Sequence, residues 1–219
     1  MKLEDMLKKP TSNVDDVIVD EPSLPSMDDI INNTDIHHKD LPDYLINDTE
    51  VVGYPDEEMQ DEIYDWVLNA TDDRQSIKDY GCGRGDINGG NDFYFYLGID
   101  KNPIMIRAGK QKWPDVNIIH DDYLNVDTVT DHTVCVGTLN VDHGYDKWEY
   151  FSKTLDKGLE TSTKSVIFIL ARKMELEGFL DYPFDELFQH LPENLRFEID
   201  YTKFEDIYRL IVYKDGYHL

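Results

Sequence analysis

The stretch Ser76-Ile77-Lys78-Asp79-Tyr80-Gly81-Cys82-Gly83-Arg84-Gly85-Asp86 decides the fold of this chain. Three glycines stand at alternate positions after an acidic residue. Because glycine has no Cβ, the backbone can take positive φ here and a ligand can lie directly against it. Further along, a second acid, Asp100, ends an apolar run at residues 93–99. An acid at the end of a neighbouring strand is placed to bind a ribose, so the two features predict a nucleotide-like site on a parallel sheet.

The glycine spacing excludes two common phosphate-binding loops. A dinucleotide fingerprint requires Gly-x-Gly-x-x-Gly, and counting from Gly81 the last position is Asp86. No Lys-Ser or Lys-Thr pair follows the loop, as a P-loop requires. Asp79 and Asp86 would repel an anionic pyrophosphate, whereas a cationic sulfonium would not be repelled.

The motif Asp-x-Gly-x-Gly-x-Gly at residues 79–85 resembles the first motif of class I S-adenosylmethionine-dependent methyltransferases. The resemblance runs from about Val51 to Tyr213. It implies an α/β, Rossmann-like fold with a mostly parallel seven-stranded sheet, helices on both faces and a C-terminal antiparallel strand. It also implies S-adenosyl-L-methionine as the cofactor and methyl transfer as the reaction.

Two further motifs carry the resemblance to the ends of strands two and three. Residues 98–106 are close to the family's second motif, in which the acid, here Asp100, binds both ribose hydroxyls and the next residue packs on adenine. Asp122 aligns with the acid that accepts a hydrogen bond from the adenine amino group, with Asp121 as the fallback and a plain Asx turn as the alternative. The implied cofactor-binding residues are Asp79, Gly81, Cys82, Gly83, Arg84, Asp100, Lys101, Asp121, Asp122, Tyr123 and Gly137.

The helix that normally follows the glycine loop is predicted to be cut to a turn or two. Gly89 and Gly90 follow almost at once, and glycine costs about 1 kcal/mol in a helix interior. This departure from the family pattern leaves the carboxylate end of the cofactor to Arg84 and the loop's backbone N–H groups. The alternative for Arg84 is a solvated surface charge.

The end of strand four, near Gly137, resembles the fourth motif, in which a backbone carbonyl receives the ammonium of the cofactor. The Asp-Pro-Pro-Tyr or Asn-Pro-Pro-Tyr sequence of nucleic-acid amino-methylating members is missing. Asn140, His143 and Tyr145 would lie on the acceptor side, where each could orient or deprotonate an acceptor, or simply be a loop residue. His37-His38 has no nearby ligand cluster, so no metal site is predicted.

Periodicity supplies the remaining elements. It predicts helices at residues 55–70, from the Asn102 N-cap onward, at 145–160 and around 184–191, and strands at 76–80, 93–100, 116–119, 132–137, 165–170, 195–201 and 207–213. A short turn at residues 203–206 makes the last two strands an antiparallel pair. A parallel sheet that ends in this way is typical of methyltransferases rather than of dinucleotide dehydrogenases.

Composition limits the partners of this 219-residue chain. Its formal net charge of −25 disfavours nucleic acid, and a small molecule or a protein is the favoured acceptor. No segment reads as a bilayer span or a signal peptide, and the two cysteines, Cys82 and Cys135, imply no disulfide framework. The expected location is the cytoplasm, or the host cytoplasm or virion if the chain is viral. Its wealth of Lys, Asp, Asn and Tyr is a compositional hint of an AT-rich or phage genome.

Two domains and two rival functions complete the expectations. Residues 1–48 read as an acidic, flexible arm, alternatively a docking segment or a lid, and residues 49–219 as the cofactor-binding domain. One rival function is a catalytically inactive subunit of a larger, possibly viral, assembly that docks through this arm. The other is an enzyme that cleaves the same cofactor.

Overall fold

The computed structural model describes residues 41–71, 75–89, 91, 93–175 and 177–214. The strands are β1 (Ser76–Tyr80), β2 (Phe95–Asp100), β3 (Ile118–His120), β4 (Thr130–Val136), β5 (Ser162–Ala171), β6 (Phe197–Asp200) and β7 (Ile207–Tyr213). They form one seven-stranded sheet in the order β3-β2-β1-β4-β5-β7-β6. Strands β1 to β5 pair in parallel, whereas β7 is antiparallel to both β5 and β6. This topology confirms the predicted fold class.

Helices cover both faces of the sheet. They are α1 (Asp43–Asn47), α2 (Glu57–Leu68), α3 (Pro103–Lys112), α4 (Lys147–Glu160) and α5 (Phe184–Leu187). Successive strand residues point to opposite faces, so Ile77 packs in the core cluster with α2 and α3, whereas Tyr80 packs in the cluster with α4 and α5. No helix in the described part of the chain combines the length and apolar character that a bilayer crossing needs.

Local chemistry fixes the helix starts. Asp56 accepts a hydrogen bond from the Met59 N–H (2.8 Å) and caps α2, and Asn102 accepts one from the Ile104 N–H (3.0 Å) and caps α3. Pro103 follows Asn102 at the first helical position, where its missing N–H has no intrahelical partner to lose. These caps confirm the predicted helix starts to within two residues.

The helix after the glycine loop is a single 3-10 turn at Asp86–Asn88, as predicted. The chain leaves this turn through Gly89, where a Cβ would come within 2.8 Å of the Trp113 ring. A side chain at Gly89 would therefore displace the end of α3. The helix predicted around residues 184–191 is shorter than expected, because only Phe184–Leu187 are α-helical.

Residues 41–54, here called the N-terminal segment, pack on α3. Leu41 and Leu45 are buried against Ile104, Met105 and Ala108. The last part of the predicted arm, residues 41–48, therefore belongs to the packed unit, because its apolar side chains fill the outer side of α3. Residues 1–40, including His37-His38, lie outside the described residues.

Candidate functional site

Three acids meet at the carboxyl edge of β1, β2 and β3. Asp79 is the penultimate residue of β1, Asp100 is the last residue of β2, and Asp122 follows β3. Because these strands are parallel neighbours, their ends lie side by side. The start of the glycine loop is hydrogen-bonded to the end of β2, since the N–H groups of Gly81 and Cys82 both donate to the Ile99 carbonyl (2.8 and 3.1 Å).

The loop glycines are required by conformation and by close packing. Gly81, Gly83 and Gly85 all have positive φ, at 69°, 55° and 74°. A Cβ on Gly81 would lie 2.0 Å from the Thr138 Oγ1, and one on Gly83 would lie 3.3 Å from the Val52 Cγ1. The turn after β4 and the segment before α2 therefore both approach the loop backbone closely.

Asp100 joins the loop to β2. Its Oδ2 accepts a hydrogen bond from the Gly83 N–H (2.8 Å), and its Oδ1 accepts one from the Asn102 N–H (2.7 Å). Burial raises the pKa of this carboxyl group, although the two backbone donors oppose the rise. The carboxylate is thus held in one orientation, partly exposed, at the centre of the three strand ends.

Asp79 is the buried member of the three acids, with 4% of its surface exposed. The Tyr96 hydroxyl donates to its Oδ2 (2.8 Å). Burial raises the pKa of Asp79 to about 7, against the lowering effect of the Tyr96 hydrogen bond and with smaller contributions from Asp100 and Asp86. Among the ion pairs of the described residues, none involves Asp79.

Asp122 lies at the opposite, open end of this edge. It accepts a hydrogen bond from the Leu124 N–H (3.0 Å) and pairs with the Lys101 Nζ (3.0 Å). The Lys101 ammonium also lies 6.0 Å from the Tyr123 ring centre and 5.9 Å from that of Tyr150. The neighbouring Asp121 is exposed, and its carboxylate accepts a hydrogen bond from the Asp122 N–H (2.7 Å).

A cavity of about 230 Å³ opens beside this ion pair. Its lining residues are Lys101, Asp122, Leu124, Tyr145, Asp146, Glu149, Tyr150 and Lys153. Pockets for whole ligands usually measure about 300–1,000 Å³. The cavity is therefore smaller than a usual pocket for a whole ligand and could enclose one end of an extended ligand.

Arg84 is not the free or solvated charge that the sequence allowed. Its side chain is fully buried, pairs with Asp86 (2.8 Å), and donates to the carbonyls of Leu45 (3.3 Å) and Asp48 (2.8 Å). These protein partners leave no exposed guanidinium for a ligand carboxylate. The predicted side-chain contact from Arg84 to the cofactor is thus not supported by its position.

Two other predicted cofactor residues also have buried side chains. Burial raises the pKa of the Cys82 thiol well above its usual range. The Tyr123 ring stacks on Tyr80 at 4.4 Å, and its hydroxyl lies 3.1 Å from the Thr154 hydroxyl. Only backbone groups of these residues are available to a ligand. At the end of β4, by contrast, a Cβ built on Gly137 would meet no described atom within 4 Å.

The three acceptor-side candidates separate into two kinds. Asn140 is buried, and its Oδ1 accepts a hydrogen bond from the Ala171 N–H (3.0 Å), so it ties the end of β4 to β5. His143 is exposed, with its Nε2 3.0 Å from the Thr138 carbonyl oxygen. The Tyr145 ring is 61% exposed and lies 5.2 Å from that of Tyr150. Tyr145 thus lines the cavity and the His143 ring lies 5.7 Å from that of Tyr150, whereas Asn140 is part of the framework.

Sequence reasoning missed Tyr96 and Thr138. Tyr96 lies two residues before Gly98, which is opposite Asp79 in the register of β1 and β2, so the pairing alone places it on the face of Asp79. The Thr138 hydroxyl donates to the Tyr80 carbonyl (3.0 Å), which no local pattern indicates. In the described part of the chain, no group of three His, Cys, Asp or Glu side chains is arranged to hold a metal ion.

Solved structures share this fold, although neither a protein-family model nor a curated protein matches the sequence. The N-methyltransferase NodS from Bradyrhizobium japonicum WM9, solved with S-adenosyl-L-homocysteine, matches with a TM-score of 0.58 at 15% identity over 78% of this chain and 94% of its own. The magnesium protoporphyrin IX methyltransferase ChlM from Synechocystis PCC 6803, solved with bound SAM, matches with 0.56 at 17% identity over 85% and 94%.

The amino pentose methyltransferase CalS10 from Micromonospora echinaspora, solved with bound SAM, matches with a TM-score of 0.58 at 11% identity over 81% of this chain and all of its own. Identities this low establish the architecture alone. The likenesses agree with the strand order and with the antiparallel C-terminal pair.

Proposed function

From the class I methyltransferase fold, we propose that this protein binds S-adenosylmethionine along the carboxyl edge of β1, β2 and β3 and transfers its methyl group to a small molecule or a protein. The observation that carries the proposal is the buried Asp79 carboxylate beside the glycine loop. A buried carboxylate without a cationic partner is costly. A ligand with a positively charged group at this end would offset that cost, whereas an anionic ligand would increase it.

The donor groups fit the other parts of this cofactor. Each Asp100 oxygen accepts one backbone hydrogen bond and retains capacity for another, so the carboxylate can hold two ribose hydroxyls. Asp122 can accept a hydrogen bond from the adenine amino group once Lys101 has moved aside, with Asp121 as the alternative acceptor. The backbone at Gly83, Tyr123 and Gly137 would complete the contacts.

The bound cofactor supplies an electrophilic methyl group, so the chain itself mainly has to hold an acceptor in line with it. The exposed side chains that follow the end of β4, His143 and Tyr145, are the candidates for this role. A general base is needed only if the acceptor carries a proton of high pKa, and His143 is then the better candidate. Asn140 takes no part in this proposal, because its side chain is committed to Ala171.

A thermal-shift titration tests the proposal directly. We expect S-adenosylmethionine and S-adenosylhomocysteine to raise the melting temperature in a concentration-dependent manner, because both would bind only the folded state. NAD⁺ is the matched control, since it shares the adenosine but carries a pyrophosphate, which the Asp79 carboxylate would repel. An equal shift with NAD⁺, or none with either sulfur ligand, would refute the site. Metabolite screening with detection of S-adenosylhomocysteine would then identify the acceptor.

A second candidate function is a non-catalytic subunit with the same fold, docked through residues 1–48. The Lys101–Asp122 ion pair favours it, because this pair occupies the end of the edge where adenine would bind. Calorimetry and turnover distinguish the two functions. Binding of S-adenosylhomocysteine together with methyl transfer supports the enzyme. A stable partner complex that requires residues 1–48, without cofactor binding, supports the subunit.

A further inference from the structure

Arg84 connects the glycine loop to the N-terminal segment. It stands between Gly83 and Gly85, and its side chain is fully buried. Its Nε donates to the Asp86 Oδ2 (2.9 Å), and its Nη1 donates to the Asp48 carbonyl (2.8 Å) and, at 3.3 Å, to that of Leu45. One guanidinium therefore bridges residues that are 36 and 39 positions apart from it in sequence.

Asp86 fixes the direction of that guanidinium. Its Oδ1 accepts hydrogen bonds from the Lys112 Nζ (2.9 Å) and the Trp113 Nε1 (3.0 Å), both at the end of α3. Burial would raise the pKa of Asp86, but the Trp113, Arg84 and Lys112 contacts together hold it below its usual value. Asp86 is therefore a charged anchor with four contacts to Arg84, Lys112 and Trp113, and Arg84 cannot turn without breaking two of them.

The two carbonyls that Arg84 holds lie at the end of α1. The last carbonyls of a helix have no intrahelical partner and carry partial negative charge. A buried guanidinium donates hydrogen bonds to these carbonyls and also places a positive charge beside their partial negative charge. Its planar fork fits two acceptors better than a lysine ammonium would. Arg84 is thus matched to the end of α1 rather than to solvent.

The segment held in this way forms one wall of the loop. A Cβ built on Gly83 would lie 3.3 Å from the Val52 Cγ1, so Val52 lies directly beside the loop backbone. The Tyr54 ring packs on that of Tyr64, with 5.7 Å between the ring centres. Burial raises the pKa of the Tyr54 hydroxyl, and the nearby Asp79 and Asp86 carboxylates raise it further. The segment thus lies between the Arg84 anchor and the side of the loop where Asp79 is buried.

We propose that Arg84 is a positioning residue that docks the N-terminal segment over the glycine loop and thereby couples docking of residues 41–54 to cofactor binding. The Arg84 side chain does not touch the ligand; it fixes the wall against which the ligand binds. The inference rests on the proposed function for the identity of the ligand. Its docking component depends only on the contacts of Arg84.

Hydrogen exchange and calorimetry on the full chain test the coupling. For Arg84→Ala we expect amide exchange in residues 44–54 to be at least about tenfold faster, because charge-assisted hydrogen bonds are lost from buried carbonyls. S-adenosylhomocysteine should bind at least about tenfold more weakly. In the wild type this ligand should slow exchange in residues 49–54, and in the variant this extra protection should disappear.

Arg209→Ala is the matched control. Arg209 is also a largely buried arginine, bonded to the Trp66 carbonyl and to Asp200 (3.5 Å), but it lies on β7, away from the loop. We expect it to lower the melting temperature while the ligand affinity stays within about twofold. Arg84→Lys keeps the charge but loses the planar guanidinium fork, so it should retain part of the exchange protection and part of the ligand affinity that Arg84→Ala loses. It replaces Arg84→Ala in the test if that variant does not fold.

The outcomes separate the two proposals. If the wild type does not bind S-adenosylhomocysteine, the proposed function fails and the coupling fails with it. If the wild type binds and both Arg84 variants match it in affinity and in exchange of residues 44–54, the proposed function stands and the positioning role is overturned. Faster exchange with unchanged affinity also overturns the coupling, because docking would then be independent of the ligand.

Discussion

Asp79 and Asp122 stand at two ends of one sheet edge in opposite electrostatic states. Asp79 is 4% exposed, has a pKa raised to about 7, and makes no ion pair with the described residues. The Asp122 side chain is 31% exposed and is already neutralised by Lys101 at 3.0 Å. A cationic ligand group would thus supply a missing partner at the glycine-loop end. At the other end a ligand would have to exchange one partner for another.

Replacing Asp79 with asparagine is expected to have the largest effect, and on stability. The folded pKa is raised from 3.8 to about 7, so the folded state holds the proton more tightly and stability is lost as pH rises through this window. Asparagine accepts the Tyr96 hydrogen bond without a charge. At pH 8 Asp79→Asn should therefore raise the free energy of unfolding by up to about 4 kcal/mol, with little change at pH 4.

Urea denaturation at pH 4, 6 and 8 measures this difference. The gain should grow between pH 4 and 7 and stay flat above, and Asp156→Asn, an exposed site on α4, should show no such trend. If the variant and the wild type have equal stability at pH 8, Asp79 is compensated in solution and the contrast with Asp122 is lost. The same variant should bind S-adenosylmethionine more weakly at pH 8.

Asp100→Ala removes the acid between the two ends. The Gly83 and Asn102 N–H groups would each lose their acceptor, and the ligand would lose its ribose contact. We expect S-adenosylhomocysteine affinity to fall at least about tenfold, because hydrogen bonds to a charged group contribute roughly 1.5–3 kcal/mol. Isothermal calorimetry with Asp156→Ala as control gives the comparison. Unchanged affinity would reject the ribose assignment.

The pH dependence of ligand binding tests the difference between Asp79 and Asp122 without a mutation at Asp122. A cationic group at the glycine-loop end needs Asp79 ionised, and with a pKa of about 7 the ionised fraction rises roughly tenfold from pH 6 to pH 8. S-adenosylmethionine affinity should increase by up to about the same factor. Calorimetry at both pH values should show this slope in the wild type and not in Asp79→Asn. A flat wild-type profile would place the cationic group elsewhere.

The sequence could predict those features that depend on a few consecutive residues. The glycine loop, the Asn102 cap and the acid at Asp100 occupy the expected positions because turn chemistry and strand ends are local. The state of each side chain could not be predicted, because it depends on distant partners. Arg84 is buried by carbonyls of residues 45 and 48, and Asn140 is committed to Ala171 on another strand.

Lys101→Met tests the Asp122 end of the sheet edge and should have the smallest effect on ligand affinity. Methionine keeps most of the side-chain length but frees Asp122 from its ion pair. Both partners are substantially exposed, so the pair contributes at most about 1 kcal/mol, and S-adenosylhomocysteine should bind about two- to fivefold more tightly.

Lys153→Met is the matched control for this change, because Lys153 lines the same cavity but pairs with Glu149 at 2.6 Å instead. Its effect on affinity should stay within about twofold. Tighter binding by Lys101→Met alone means that the ligand displaces Lys101 from Asp122. Weaker binding means that the Lys101 side chain is itself a ligand contact, and then this end of the edge holds the ligand through Lys101 rather than through a freed Asp122.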